Sequence, residues 1–376
     1  MKFGLVTTMN VLPWAGSEEL WSGTARVLID AGHDVHIYYP AVRGWAPQLA
    51  ALRQAGARVH AFGWGSARFT TGAGLLGRAL TKAPVVHPFP RGDAWKSMDL
   101  VLVSQGGCTD GQSWLEILGR HGIPYIVLCQ ANMECVWPDD QTASRLRHYF
   151  GSARKALFVS AENERLFRVQ TGYDRQNTMV VWNPLQPSTP SAQLSWPEAD
   201  VAWRMAVVGR IEPFAKGQDL LIEVLGRPEW RERNLRLTIF GRGPWEMTAR
   251  TLIAQRGLTS IAFGGFASPK EIWESHHILA LPSRHEGMSL AMLEAMWLGR
   301  PVVATAVAGA LSELTEGYNG FLSRGANVEC WAEAMERAWT GRDRWREMGS
   351  NAAQLLRSRM PPDPASALAH LLASSV

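Results

Sequence analysis

The residues best suited to chemistry gather between Leu279 and Gly309. Glu286 lies in a polar loop, and Glu294 follows eight residues later inside an otherwise apolar run. The run carries consistent helix signals. Ser289 is a good N-cap before Leu290, Leu293, Met296 and Trp297. Gly299 stands where a left-handed residue ends a helix, and Pro301 prevents its continuation. A carboxylate beside a helix start can be a plain stabilising charge. Glu294 needs a partner, because a carboxylate buried between strands is costly alone, and a ligand hydroxyl is one candidate. The backbone N–H groups of Gly287, Met288, Ser289 and Leu290 form a ready anion cradle at the helix start. Two carboxylates around an anion cradle suit a phosphorylated polyol.

Two cations stand on a second strand-end loop, Gly209-Arg210-Ile211-Glu212-Pro213-Phe214-Ala215-Lys216-Gly217. Such cations are commonly solvated surface charge. If the strands are parallel, however, Arg210 and Lys216 share a rim with Glu286 and can clamp a phosphate. In the first half, Gly16-Ser17-Glu18 opens a helix after the first strand and is either a simple tight turn or a phosphate approach. Ser104, Gln105, Asp110, Gln130, Asn132 and Glu134 cluster after two further strands, where the ligand crevice of an open α/β sheet lies. For any one of them, a turn or capping role is the alternative.

The elements that must hold these residues read as α/β. A chain of 376 residues, 46% apolar and 19% charged, is expected to form two such domains. Strands are expected at Phe3–Thr8, Asp34–Tyr39, Arg58–Phe62, Leu100–Ser104, Tyr125–Cys129, Ala156–Ser160 and Met179–Trp182. Helices alternate with them, from about Ser17 to Ala31, Gln112 to His121 and Ala161 to Thr171. Residues 63–95 form a Gly-, Pro- and Arg-rich excursion without clear periodicity. A Pro/Ser-rich linker after Asn183-Pro184 leads to a second unit with strands at Arg204–Val208, Leu235–Phe240, Ile261–Phe263 and Ile278–Leu281.

The net charge is +4. Residues 1–190 hold 18 Lys+Arg against 14 Asp+Glu, so the excess lies in the first half. It lacks the clustered runs of a nucleic-acid protein. No apolar run reaches a membrane span, and the chain starts directly in a strand, so a cytoplasmic location is expected. Cys108, Cys129, Cys135 and Cys330 show no zinc-like spacing and are expected to be reduced and structural.

Taken in order, the motifs resemble a known family. Gly209-Arg210…Lys216-Gly217, the turn FGRGP, Glu286-x7-Glu294, AMWLGRPVVAT and Gly317-x-x-Gly320-Phe321 match retaining glycosyltransferases of the GT-B fold, family 4 (glycosyl transferases group 1). The likeness covers the whole chain and is strongest from Val207 to Leu322. Gly16, GHDV at 32–35, Val159-Ser160 and Val181-x-Asn183-Pro184 extend it into the first half.

The resemblance implies α/β GT-B architecture, with two Rossmann-like doubly wound domains facing across a cleft. They would be an acceptor domain, 1–184, and a donor domain, 200–360, with a terminal helix at about 362–376 packing back on the first. It implies a nucleoside-diphosphate sugar donor, UDP- or GDP-linked, and no cofactor or metal ion. Gly16, Gly209, Arg210, Lys216, Phe266, Glu286, Gly287, Met288, Ser289, Leu290 and Glu294 would bind the donor. Arg210 and Lys216 would hold the diphosphate, Glu286 the sugar hydroxyls, Glu294 the ribose, and Phe266 would face the base. With Glu286, Arg210 and Lys216, Gln130 joins the reaction centre. Many relatives carry a His there, so a sugar contact survives as an amide while proton transfer does not. The turn also reads Ala15-Gly16 where a Gly pair is usual.

Acceptor binding would fall to Gln105, Asp110, Asn132 and Glu134. The acceptor could be a small molecule, a glycan or a glycolipid, with peripheral membrane contact open. Arg68, Arg78, Lys82 and Arg91, bracketed by Trp64 and Trp95, would steer an anionic acceptor, or the tryptophans would stack a flat one; the alternative is ordinary solvated charge beside core tryptophans. A nucleotide-sugar epimerase or hydrolase, or a non-catalytic two-lobed sugar-binding protein, are the alternatives. A nicotinamide dehydrogenase is disfavoured by the absence of GxGxxG.

Overall fold

The computed structural model describes residues 1–9, 13–40, 46–62, 93–198 and 202–376. The chain divides into two units, Met1–Pro184 with Pro362–Val376, and Leu185–Pro361.

The first unit contains strands β1 (Lys2–Thr7), β2 (Asp34–Pro40), β3 (Arg58–Phe62), β4 (Leu100–Gln105), β5 (Tyr125–Cys129), β6 (Lys155–Phe158) and β7 (Thr178–Val180). Among the described residues they form one sheet, ordered β3-β2-β1-β4-β5-β6-β7. Every pairing is parallel. The central strands LVLVSQ and YIVLC are buried along their whole length. Continuous apolar strands of this kind need helices on both faces. Those helices are α1 (Glu18–Asp30), α2 (Pro47–Gln54), α3 (Gln112–Arg120), α4 (Asp140–Ser152) and α5 (Ala161–Thr171). The strand order reverses between β1 and β4, and such a switch point opens a crevice beyond the strand C-termini.

The second unit repeats the plan with β8 (Trp203–Val208), β9 (Leu235–Phe240), β10 (Ile261–Gly265), β11 (Ile278–Leu281), β12 (Val302–Thr305) and β13 (Gly320–Ser323). Its order is β10-β9-β8-β11-β12-β13, again all parallel, with the reversal between β8 and β11. The covering helices are α6 (Gln218–Leu225), α7 (Glu246–Gln255), α8 (Pro269–Ser275), α9 (Leu290–Trp297), α10 (Val328–Thr340) and α11 (Trp345–Arg359). Trp273, Trp331 and Trp345 are fully buried here, as are Trp21 and Trp114 in the first unit. These five tryptophans serve as core volume, each worth several kcal/mol against truncation.

The last helix, α12 (Pro364–Ala373), belongs to the first unit. Asp363 caps it, its Oδ1 accepting from Ala365 N at 3.0 Å and Ser366 N at 3.1 Å. It packs on α1, where a Cβ placed on Gly23 would stand 2.9 Å from Ala365 Cβ. The closeness lets Thr24 Oγ1 donate to Ala365 O at 3.3 Å.

Several sequence expectations shift. β10 runs two residues beyond Phe263, and β7 lies at Thr178–Val180, so Val181 and Trp182 stand outside it. The helices α2 and α4 went unread because their apolar periodicity is short. Within the linker, the carbonyls of Leu194 and Ser195 accept from the buried Arg300 guanidinium, at 3.5 and 2.7 Å. Trp95 is buried, edge-on to His121 with ring centroids 5.1 Å apart, as the core alternative for the tryptophans has it. Trp64, Arg68, Arg78, Lys82 and Arg91 lie outside the described residues. All four cysteines are free thiols; Cys108 and Cys129 are buried, but Cys135 is exposed.

Candidate active site

The second unit builds its site at the β8/β11 switch point. The loop after β8 carries Arg210 and Lys216, and the loop after β11 carries Ser283, Arg284, His285 and Glu286. The loops meet backbone to backbone. Gly217 has φ +64°, and a Cβ there would fall 1.9 Å from Pro282 O. No other residue type fits this approach. Arg284 N and His285 N both donate to Ala215 O, at 2.8 and 3.2 Å. Arg284 adds a bidentate pair to Asp219 at 2.8 and 2.7 Å. The Asp219 carboxylate holds that guanidinium above its ordinary pKa. Burial pushes the neighbouring His285 down, Arg284 adds to the effect and Glu286 opposes it.

This lock brings the two chemical groups together. Lys216 Nζ stands 2.5 Å from Glu286 Oε1, and Ser283 Oγ donates to the same oxygen at 2.8 Å. Arg210 pairs with Glu212, and Gln218 Nε2 donates to Arg210 O at 2.8 Å. Both expected clamp cations thus already hold carboxylates. The shared rim expected for Lys216 and Glu286 from parallel strands is present, and the structure brings the two into direct contact. Ser283, Arg284, Asp219 and Gln218 escaped that reading, since each looks like ordinary loop polarity.

The helix start behaves as its signals require. Ser289 accepts from Met292 N at 3.4 Å, and Gly287, Met288 and Ser289 are buried while Leu290 is half-buried. At the far end, Gly299 has φ +81°, with Gly299 N donating to Met296 O at 3.0 Å and Arg300 N to Ala295 O at 2.8 Å. That pair of bonds is a Schellman motif. Glu294 is 2% exposed on the second turn of α9. Gly309 N donates to Gly287 O at 2.9 Å, so the connection after β12 steadies the turn that leads into α9. Ala308 beside it has φ +44°, the one non-glycine with positive φ among the described residues. Such strain commonly costs 1–3 kcal/mol and clusters at functional sites. Gly209 closes β8 with φ +155°. Phe266, just past β10, is 84% exposed.

In the first unit, the polar residues after β4 and β5 do converge in part. Gln105 is fully buried and its Nε2 donates to Asp110 O. Asp110 Oδ2 accepts from Gly107 N at 2.9 Å. Asn132 Oδ1 accepts from Met133 N and from Cys108 Sγ, each at 3.1 Å. Gln130 is only 5% exposed, yet neither atom of its amide finds a partner among the described residues. Glu134 is exposed and stands apart from this network.

After β1, Gly16 is exposed as a ligand-approaching turn requires. Ser17 does not cap α1; its hydroxyl donates instead to Glu18 Oε1 at 3.2 Å. The same carboxyl accepts from Thr7 Oγ1 at 3.2 Å and Trp21 Nε1 at 2.7 Å. Burial pushes Glu18 up to about 7, against the pull of those donors.

Two open parallel sheets, each reversing beside a polar loop pair, define the class: the chain has the GT-B glycosyltransferase fold. HepE from Anabaena, solved with UDP, superposes with a TM-score of 0.72 at 17% identity over 100% of both chains. Sucrose-phosphate synthase from Thermosynechococcus elongatus gives 0.72 at 15% identity, covering 100% of this chain and 99% of that one. Residues 203–340 match the family described as glycosyl transferases group 1. A D-inositol 3-phosphate glycosyltransferase from Corynebacterium efficiens is 32% identical over 164 residues, which is 41% of this chain and 38% of that protein. Granule-bound starch synthase 1 from Pisum sativum is 26% identical over 159 residues, 41% of this chain and 26% of that one. The chain thus spans under two fifths of these relatives' length. Among the described residues, no helix is long and apolar enough to cross a membrane.

Proposed function

We propose that this protein transfers a sugar from a uridine diphosphate sugar to an acceptor hydroxyl, with retention of anomeric configuration and without a metal ion. The observation that carries the reading is the Lys216–Glu286–Ser283 cluster at the switch point, beside the capped start of α9 with Glu294 on its second turn. The choice of uridine rests on the UDP and UDP-glucose bound by HepE.

In this reading the diphosphate displaces carboxylates from their cations. Lys216 leaves Glu286 and Arg210 leaves Glu212, both turning to phosphate oxygens, while the amides of Gly287 to Leu290 complete the cradle. Glu286 is then released to accept from sugar hydroxyls, Glu294 receives the ribose, and Gln130 contributes an amide to the sugar. The acceptor oxygen bonds to the anomeric carbon on the face from which the diphosphate departs. The departing diphosphate oxygen takes the acceptor proton. Such a route asks for positioning and for charge stabilisation on the leaving group, which Arg210 and Lys216 supply.

Calorimetry with UDP and transfer assays with UDP-glucose test this. Lys216→Ala is expected to lower transfer by about two to three orders of magnitude, the usual cost of one preorganised charge stabiliser. EDTA is expected to leave the wild-type rate unchanged. Absence of UDP binding, a normal rate in Lys216→Ala, or activity lost to EDTA and restored by magnesium would each count against the proposal.

A further inference from the structure

The loop from Gln130 to Asp139 presents an aromatic face that no part of the proposed donor site uses. Trp137 is 60% exposed, a large apolar side chain left in solvent. Its orientation is nevertheless fixed, because Nε1 donates to Glu134 O at 2.8 Å. The loop beneath it is pinned from α5: Gln170 Nε2 donates to Met133 O at 2.8 Å and to Val136 O at 3.2 Å. Rigid, solvent-facing indole is the group that stacks on the flat face of a sugar ring. A second observation comes from the same strand ends. Asn132 is 6% exposed and its Nδ2 finds no partner among the described residues, and the same holds for Oε1 of the fully buried Gln105. Buried polar atoms are rarely left so. One is a donor and the other an acceptor, the complement of a hydroxyl, which can do both.

Charge decides between kinds of acceptor. The loops 105–111 and 130–139 contain no Lys or Arg, but hold Asp110, Glu134 and Asp139. These loops by themselves offer a phosphorylated acceptor carboxylates and no cation.

We infer that these two loops bind an uncharged, ring-shaped polyhydroxyl acceptor, with Trp137 as its stacking face and the amides of Asn132 and Gln105 as hydroxyl partners. The inference rests on the transferase reading above and adds the acceptor's chemical class and a specificity residue.

Saturation-transfer NMR on the intact protein reads acceptor binding without donor turnover, so its outcome is separate from that of the UDP experiment. The probes are methyl α-D-glucopyranoside, maltose and myo-inositol, each beside its monophosphate. At least one neutral probe is expected to bind, with its monophosphate no tighter and with little response to salt. Trp137→Ala should weaken that binding about tenfold. Trp137→Phe, which keeps a ring but loses the bond to Glu134, should stay within about threefold of wild type, and both variants should keep the wild-type circular dichroism and UDP affinity. The inference is overturned if no neutral probe binds, or if a monophosphate binds more than tenfold tighter with an affinity that falls with salt. It is equally overturned if Trp137→Ala binds as wild type does, or if Phe loses as much as Ala.

Discussion

Glu286 and Glu294 lie eight residues apart, and the structure gives them different surroundings. Glu286 is half-buried and shares one oxygen between Lys216 and Ser283. Its conversion to Gln removes a competitor for the Lys216 ammonium. Free UDP should therefore bind Glu286→Gln at least as tightly as wild type, while transfer falls by about a hundredfold or more. Glu294→Gln should weaken UDP itself by roughly 1.5–3 kcal/mol, the value of a charged hydrogen bond. Calorimetry separates the two, and equal losses of UDP affinity would mean the roles are wrongly divided. Glu18 bears on pH. Its folded pKa, about 7, lies above the ordinary 4.5. The folded state therefore binds the extra proton, so the contribution is fully present below pH 4.5 and disappears as pH rises through 7. Glu18→Gln should accordingly stabilise the protein by about 3 kcal/mol at pH 8, at 1.36 kcal/mol per unit, and by far less at pH 5. Urea unfolding at the two pH values checks this; a gain that is the same at both would remove Glu18 as the cause.

At the scale of elements, Arg300 joins the linker to the second sheet. It is completely buried, and its guanidinium donates to carbonyls of Trp273 and His276 as well as to Leu298, Gly299, Leu194 and Ser195. Burial pulls its pKa down to about 10, so it stays charged at neutral pH. Among the described residues no carboxylate pairs with it, and the carbonyls, with the Trp196 ring 5.4 Å from the guanidinium carbon, offset the desolvation cost. Arg300→Leu leaves those carbonyls unsatisfied and should cost about 3–5 kcal/mol, the usual loss when one side of a buried charged network is removed. A shift of less than 1 kcal/mol in urea unfolding would show that the linker relaxes to pair them elsewhere.

At the scale of the whole molecule, the chain returns to its first unit through α12. Ala365, Leu368, Ala369 and Leu372 are all buried, and α12 covers the face of α1 that Gly23 keeps flat. Truncation after Pro361 exposes that face, and the loss of two leucines and two alanines from water exclusion is on the order of several kcal/mol, comparable with a domain's total stability. The truncated protein should show protease cleavage confined to residues 1–184, while UDP still binds the second unit. Resistance of the first unit equal to that of the full chain would sink this assignment.

What the sequence determined by itself was local. Ser289, Gly299 and Pro301 mark the bounds of α9 because capping and chain reversal are decided within a few residues. The parallel strands were legible as uninterrupted apolar runs such as LVLVSQ, whose character follows from burial on both faces. Glu286 and Glu294 were legible because carboxylates stand out within an apolar segment. Tertiary structure alone decided who meets whom. Lys216 touches Glu286 because β8 and β11 are neighbours at a reversal of strand order, a register that no local pattern encodes. Ser17 leaves α1 uncapped and Glu18 is buried, because Thr7 of β1 joins Trp21, one turn on in α1, in donating to the carboxyl. Trp95 and Trp137 are alike as residue types, but His121 and the core cover one while a backbone bond holds the other in solvent. Burial depends on what the remainder of the chain places above a side chain, and that is fixed only when the sheet is assembled.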